Sequence, residues 1–255
     1  MSVTIDLSDR IALITGASQG IGAAIARRLH EAGAFVYLNH PNLGSGKTKS
    51  DAETLASSFN NLRPNSAQAI SADVSKPAEV SAMIREIASK SSHLDILVNN
   101  AGILRDRTVA KMSIDEWDAV IDVNLSGVFH TCKAGLEIMR DGGSIVNLGS
   151  LSASAGFHGQ ANYSAAKAGV QALSRVLSRE CARKQIRVNA LAPGVIDTDM
   201  VASIPDEYRA EMIKQVPLRR LGHPTEIADA VLFLCSPLAS YITGIVLEID
   251  GGWRG

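Results

Sequence analysis

Tyr163 and Lys167 lie four residues apart in Asn-Tyr163-Ser-Ala-Ala-Lys167-Ala-Gly, a run of helix formers without proline. On a helix that spacing puts both side chains on one face. A free phenol, with a pKa near ~10, holds its proton too firmly to trade it quickly at neutral pH. A neighbouring ammonium favours the phenolate and lowers that value. Bringing it to about 7 takes roughly 4 kcal/mol, at about 1.36 kcal/mol per unit. A serine hydroxyl upstream, on the end of a strand, can bond the same reacting oxygen, and serines stand at 150, 152 and 154. The chemistry on offer is proton transfer at an oxygen. Alone, the spacing recurs by chance and equally describes a half-exposed tyrosine beside a solvated lysine.

A second group of residues has the spacing of a nucleotide site. Thr15-Gly16-Ala-Ser18-Gln19-Gly20-Ile21-Gly22 follows an apolar run and opens an alanine-rich helix. A tight glycine turn there lets backbone approach a pyrophosphate lying on the helix N-terminus, where N–H groups and the dipole favour anions. Gly44-Ser-Gly46-Lys47-Thr48 is not a P-loop, because that motif needs glycine at position 41, which is proline. Lys47 remains a cation within reach of a cofactor phosphate. The second strand ends in Asn39-His40 with no carboxylate to bond a ribose 2′-OH or repel a 2′-phosphate. That favours NADP(H) over NAD(H).

Four further stretches fall at element ends. Asp73-Val74 closes the third strand, where an adenine would lie. Asn99-Asn100-Ala101-Gly102 closes the fourth and suits a wall against ribose and nicotinamide. Asn124 interrupts an otherwise helical stretch, so it either does a polar job or marks a kink. Pro193-Gly194-Val-Ile196-Asp-Thr198 follows the sixth strand and can pass beside a nicotinamide, with Thr198 free to bond its amide. Ser203–Val216 comes next and is a candidate lid.

These residues need a scaffold, and the apolar pattern supplies one. Short runs at Arg10–Thr15, Phe35–Asn39, Ala67–Ser71, Ile96–Asn99, Ser144–Leu148, Arg187–Leu191 and Val246–Ile249 read as strands. Most are continuously apolar, as strands covered on both faces are. Between them lie helical stretches: Ile21–Ala32 ending at Gly33, Pro77–Ser89 behind a Ser75 N-cap, and Ile114–Val123 behind a Ser113/Glu116 capping box. The alternation predicts an α/β fold: a Rossmann-type, doubly wound, seven-stranded parallel sheet with helices on both faces. With no linker or repeat, residues 1–255 are expected to form one domain. Its dinucleotide-binding half spans roughly 1–110 and its catalytic half 111–255.

The 255 residues are 46% hydrophobic and 20% charged, with a net charge of −1. Near-neutral charge argues against nucleic-acid and anionic-membrane partners. There is no basic segment followed by an apolar run at the start, and no 18-residue apolar stretch, so a cytoplasmic protein is expected. Cys132, Cys181 and Cys235 fit neither a disulfide framework nor a metal site and read as reduced, buried thiols.

Taken in order, Thr15–Gly22, Asp73, Asn99–Gly102, Asn124, Ser150, Tyr163, Lys167, Pro193-Gly194 and Thr198 resemble the motifs of the short-chain dehydrogenase/reductase family across essentially the whole chain. Asn99 to Asp106, Gly159 to Tyr163, Pro217 to Gly222 and Tyr241 to Gly252 are similar to the 3-oxoacyl-thioester reductases within it. Sugar, polyol and other small-ketone reductases share those stretches. The resemblance implies that Tyr163 is the general acid, that Lys167 lowers its pKa and bonds the nicotinamide ribose, and that Ser150 polarises the substrate carbonyl. It implies that Asn124 holds a water linking Lys167 to solvent. Gly16, Ser18, Gln19, Gly20, Ile21, Gly22, Asn39, His40, Asp73, Val74, Asn99, Ala101, Gly102, Tyr163, Lys167, Pro193, Gly194, Ile196 and Thr198 would meet the cofactor. Gln19 departs from the Arg or Lys common in NADP-preferring members, and the loop after the second strand is longer than usual. The family also implies a homotetramer, packed through the C-terminal strand and tail. A substrate on acidic acyl-carrier protein would need basic residues such as Arg175, Arg179, Arg183 and Lys184. The competing reading from another class is a nucleotide-binding sensor or scaffold without turnover.

Overall fold

A computed structural model describes residues 4–41, 46–198, 201 and 206–253. Seven parallel strands form one sheet in the order β3-β2-β1-β4-β5-β6-β7. They are β1 Ile11–Ile14, β2 Phe35–His40, β3 Ala67–Ser71, β4 Leu94–Asn99, β5 Met139–Leu148, β6 Arg187–Pro193 and β7 Val246–Ile249. The helices between them are α1 Gly20–Glu31, α2 Lys47–Leu62, α3 Pro77–Ser91, α4 Ile114–Ile121, α5 Gly127–Gly135, the single turn α6 Ser152–Ala155, α7 Ala161–Glu180, α8 Asp206–Gln215 and α9 Pro224–Cys235.

Each face of the sheet carries its own apolar layer. Ile25 and Leu29 of α1, Phe59 of α2 and Val231 and Leu234 of α9 pack on one. Met83 and Ile87 of α3, Val128 of α5 and Val170 and Leu177 of α7 pack on the other. This double cover explains the unbroken apolar strands, since β4 is buried at every residue. Burying each large aliphatic side chain contributes about 1.5–3 kcal/mol. The strand order reverses between β1 and β4, which opens a crevice beyond their C-terminal ends.

Three local expectations change. Ser75 does not cap α3; Lys76 holds that position, and the Ser75 hydroxyl and N–H both donate to Asp73 Oδ1 at 2.7 and 2.9 Å. Strand β5 begins five residues early, because Gly142 and Gly143 lie within it as an irregularity between the pairs Leu94–Met139 and Ile96–Ser144. A Cβ on Gly143 would stand 2.9 Å from the Asp95 carbonyl oxygen, so a side chain does not fit there. The Ser113/Glu116 capping box forms as expected, but α4 stops at Ile121 and residues Asp122–Ser126 make a π-turn around Asn124. The three cysteines are free and buried. Among the described residues no helix is long and apolar enough to cross a membrane.

Near the C-terminus, Trp253 is covered within the chain itself. Trp253 is buried edge-on against Phe157, with ring centroids 5.5 Å apart, in a small cluster with Leu151 and Val216. Of the candidate lid, positions 203–205 lie outside the described residues. Helix α8 has no fully buried side chain among those described, and Val216 anchors its end in the Trp253 cluster.

Candidate active site

The glycine turn is clamped from two sides. Thr15 Oγ1 accepts the Asn100 and Ala101 N–H groups at 2.9 and 3.1 Å, while Asn100 Nδ2 donates to the Thr15 and Gly16 carbonyls, both at 3.0 Å. Gly16 sits at φ +62, and a Cβ there would meet Ala101 Cα at 2.9 Å. Two L-residue penalties therefore coincide at this position. Asn39 Oδ1 accepts the Gly16 N–H at 3.3 Å from the other side.

Helix α1 then starts at Gly20. Its N-cap, Gln19, is extended and caps nothing with its side chain, and the first turn holds no acidic residue. The leading N–H groups therefore lack the side-chain acceptor that usually satisfies them, and an anion suits the place. Thr198, beyond β6, faces the turn: its Cγ2 lies 3.7 Å from where a Cβ on Gly20 would be. The turn, the helix end and the β6 loop together form a cradle that fits a dinucleotide pyrophosphate.

The proton-transfer group stands across the crevice on α7. Asn162 pins the start of that helix, donating to the Arg105 and Glu116 carbonyls at 3.1 and 3.2 Å and accepting the Tyr163 N–H at 2.7 Å. Tyr163 and Lys167 do share a face, with the ammonium 5.6 Å from the phenol ring centroid. Lys167 is buried and donates to the Leu148 carbonyl at 2.7 Å. Burial brings its amine down from 10.5 to about 8. The Tyr163 phenol is pushed up to about 12 by burial; a hydrogen bond from Ser150 pulls it down, and Asp106 adds to the rise. The Lys167 ammonium, beside the phenol ring, is anchored at the end of β5.

The remaining predicted residues divide into those that face the crevice and those that build its walls. Gly102 faces it. A Cβ there would stand 2.5 Å from Asn124 Oδ1 and 3.8 Å from Lys167 Nζ, so the glycine lets the β4 loop reach the lysine. Gly20 and Thr198 approach each other at its other end. Asn39 and His40 are buried instead. Asn39 donates to the Ala72 carbonyl at 3.0 Å besides holding Gly16, and His40 contacts the Pro41 carbonyl at 3.3 Å.

Asn99 points into the sheet's interior, where Nδ2 donates to Asn147 Oδ1 at 2.8 Å and Oδ1 accepts the Thr131 hydroxyl at 2.6 Å. Its side chain builds the wall behind the crevice. Val74 is buried where Gly127 passes close by, and Asp73 is committed to the Ser75 turn. Asn124 is fully buried. Both its amide hydrogens go to backbone, the Ile103 and Val120 carbonyls at 3.0 and 2.9 Å, and its oxygen accepts the Ile103 N–H at 3.2 Å. It joins the β4 loop to the π-turn. Pro193 and Ile196 are buried.

Three side chains have positioning roles that the sequence did not reveal: Asn100, Asn162 and Ser152. The first two are amides beside motif residues, and that adjacency was the available signal. Ser152 stands two residues after Ser150, with its hydroxyl 2.9 Å away.

A family model described as Enoyl-(Acyl carrier protein) reductase matches residues 16–254. A 3-oxoacyl-[acyl-carrier-protein] reductase of Staphylococcus aureus is 45% identical over 243 residues, 94% of this chain and 96% of that protein. One from Chlamydia muridarum is 42% identical over 248 residues, 96% of this chain and 98% of that protein. Among solved structures, a short-chain dehydrogenase/reductase described as glucose/ribitol dehydrogenase from Brucella melitensis superposes with TM-score 0.92 at 35% identity, covering 99% of this chain and 100% of its own. A blue fluorescent protein from a metagenomic library, solved in complex with NADPH, gives TM-score 0.92 at 33% identity, covering 98% and 100%. With the full-length sequence matches, the sheet order and the Ser150–Tyr163–Lys167 grouping in agreement, the chain belongs to the short-chain dehydrogenase/reductase family of oxidoreductases.

Proposed function

We propose that this chain is an NADP(H)-dependent reductase of 3-oxoacyl thioesters. The observation that carries the reading is the convergence of Ser150, Tyr163 and Lys167 at one end of a crevice whose other end is a glycine-turn anion cradle. Relatives over 40% identical, matched along nearly their whole length, are named for that reaction. The residues fit a dinucleotide: the turn Gly16–Gly22 and the start of α1 would hold the pyrophosphate, Lys167 the ribose, and the loop Gly194–Thr198 the nicotinamide. A nicotinamide supplies hydride when bound.

The chain's own side chains handle the oxygen. Ser150 donates its hydroxyl proton to the substrate carbonyl and polarises it. Tyr163, neutral at pH 7, donates its Oη proton as negative charge develops on that oxygen. The resulting phenolate is held by the Ser150 hydroxyl and the Lys167 ammonium, which the same burial makes ready to give up a proton in turn. NADP(H) preference rests on the missing carboxylate at Asn39-His40, with exposed Lys47 at the start of α2 as a partner for a 2′-phosphate.

An acyl-carrier-protein substrate would find exposed Arg175 and Arg179 about two and three turns along α7 from Lys167. Arg183 and Lys184 lie in the short turn beyond the helix. The test is NADPH consumption with acetoacetyl-CoA against simple ketones, sugars and polyols. A clear kcat/KM advantage for acetoacetyl-CoA is expected. Equal activity on simple ketones would replace the thioester reading with a general carbonyl reductase, and tight NADPH binding without turnover would replace it with a sensor.

A further inference from the structure

The geometry points to Ser152 as a positioning residue that makes Ser150 a pure hydrogen-bond donor; this rests on the proposed role of Ser150. A serine hydroxyl has one proton to give and two lone pairs to fill. Both lone pairs of Ser150 Oγ are filled from one residue. The Ser152 N–H donates to it at 3.1 Å and the Ser152 hydroxyl at 2.9 Å. Ser152 is buried at 1% exposure, so water does not compete for its proton. It opens the single turn α6, whose entry is fixed by the Leu151 N–H donating to the Pro193 carbonyl at 3.0 Å. Ser150 itself is held by Gln171, whose Nε2 donates to the Ser150 carbonyl at 3.2 Å.

With its lone pairs occupied, Ser150 can act only through its own O–H. The group it acts on in the site is the Tyr163 phenol, whose pKa the Ser150 side chain pulls down against burial, as a hydrogen bond between the two does. Two orientations of that bond are chemically possible. If Tyr163 donates to Ser150, the acid's proton is turned away from the substrate and Ser150 has lost its power to polarise a carbonyl. If Ser150 donates, the Tyr163 proton stays free for transfer, and the Ser150 proton can swing to the carbonyl oxygen when a substrate binds. Double donation from Ser152 removes the first orientation, because no lone pair is left to accept the phenol. Ser152 touches neither substrate nor cofactor in this scheme and acts through Ser150 alone.

Removing the Ser152 hydroxyl leaves its N–H in place and frees one lone pair. The loss of one neutral orienting hydrogen bond corresponds to a fall of roughly 3- to 10-fold in rate. The experiment measures acetoacetyl-CoA reduction, NADPH binding and thermal melting for Ser152→Ala, Ser150→Ala and the double variant. Ser152→Cys, of nearly the same volume with a weak donor, serves if alanine disturbs folding. Expected are a kcat about 3- to 10-fold lower in Ser152→Ala, an unchanged KM for NADPH, and an intermediate kcat in Ser152→Cys. In the Ser150→Ala background the second substitution should change nothing further, since its only route of action is gone. Wild-type kcat in Ser152→Ala, or the same factor reappearing in the double variant, overturns the assignment of Ser152. Wild-type kcat in Ser150→Ala overturns the reading of Ser150 itself, and this one with it.

Discussion

Replacing Lys167 with methionine removes a buried ammonium and keeps most of its volume. In the folded chain burial lowers the amine from 10.5 to about 8. At roughly 1.4 kcal/mol per unit, holding it protonated at pH 7 costs about 3 kcal/mol relative to the unfolded chain. The variant forfeits the hydrogen bond to the Leu148 carbonyl, which offsets roughly 1 kcal/mol of that. A net gain of about 2 kcal/mol remains, and for a chain of this size it raises the melting temperature by about 4–8 °C.

The gain depends on pH in a fixed direction. Between about pH 8 and 10.5 the unfolded chain binds more protons at this lysine than the folded one. Wild-type stability at this site therefore rises with pH across that window. The cost is fully present below it and gone above it, so the methionine advantage should shrink to nothing, or reverse by about 1 kcal/mol, near pH 10.5. Thermal melts of both proteins at several pH values between about 7 and 10.5 test this. Cys132 and Cys235, both pushed up to about 12 by burial, titrate alike in the two proteins and drop out of the difference. Activity should be lost at every pH. A methionine variant that melts below wild type at pH 7, or a difference that does not change with pH, would refute the reasoning.

Tyr163→Phe removes one hydroxyl and leaves the ring, so NADPH binding by fluorescence titration should stay within a few-fold of wild type while kcat falls by at least ~100-fold; retained turnover would move the acid to another residue. The missing carboxylate at Asn39-His40 predicts a higher kcat/KM with NADPH than with NADH, and equal or better efficiency with NADH would sink that preference. Leu238, Tyr241 and Ile245 are exposed near edge strand β7 and suit burial against further copies of the chain. Light scattering should accordingly give a particle about four times the 27.0 kDa chain, and a monomer at micromolar concentration excludes it.

The sheet was legible because its strands are covered on both faces. Continuous apolar runs mark such strands directly, as in β4, which is buried at every residue, while the less covered edge strands Ala67–Ser71 and Val246–Ile249 also match the structure at both ends. The start of β5 was hidden because Gly142 and Gly143 look like a turn and sit within the strand as an irregularity. Motif spacing placed Tyr163 and Lys167 on one face, since helical periodicity is regular. It did not say where the lysine's flexible end would settle. Side-chain direction at strand ends was the harder problem. Neighbouring residues in a strand point to opposite faces. Asn99 and Asn100 are adjacent amides, yet the first enters the interior and the second reaches the glycine turn. Where helices cover both faces, polarity alone cannot distinguish the two directions. The same ambiguity hid the inward direction of Asn39, whose side chain braces Gly16.

Those inward-pointing amides explain how four separate elements hold one site. Asn99 on β4 and Asn147 on β5 are register partners, and their side chains are hydrogen-bonded at 2.8 Å. The Thr131 hydroxyl on α5 joins one end of this pair at 2.6 Å, and the Ser174 hydroxyl on α7 joins the other at 2.9 Å. All four residues are buried. Each leads into a site residue: β4 into Gly102, β5 into Ser150, α7 back to Tyr163 and Lys167, and α5 back to the Asn124 turn. Apolar packing alone tolerates small slides between helix and sheet. A buried hydrogen bond does not, because a shift that breaks it leaves both partners unsatisfied at about 1–3 kcal/mol each. Every link in this chain of bonds crosses from one element to the next. A displacement of α7 relative to β5 that would separate Lys167 from the Leu148 carbonyl must therefore also break Asn147 from Ser174.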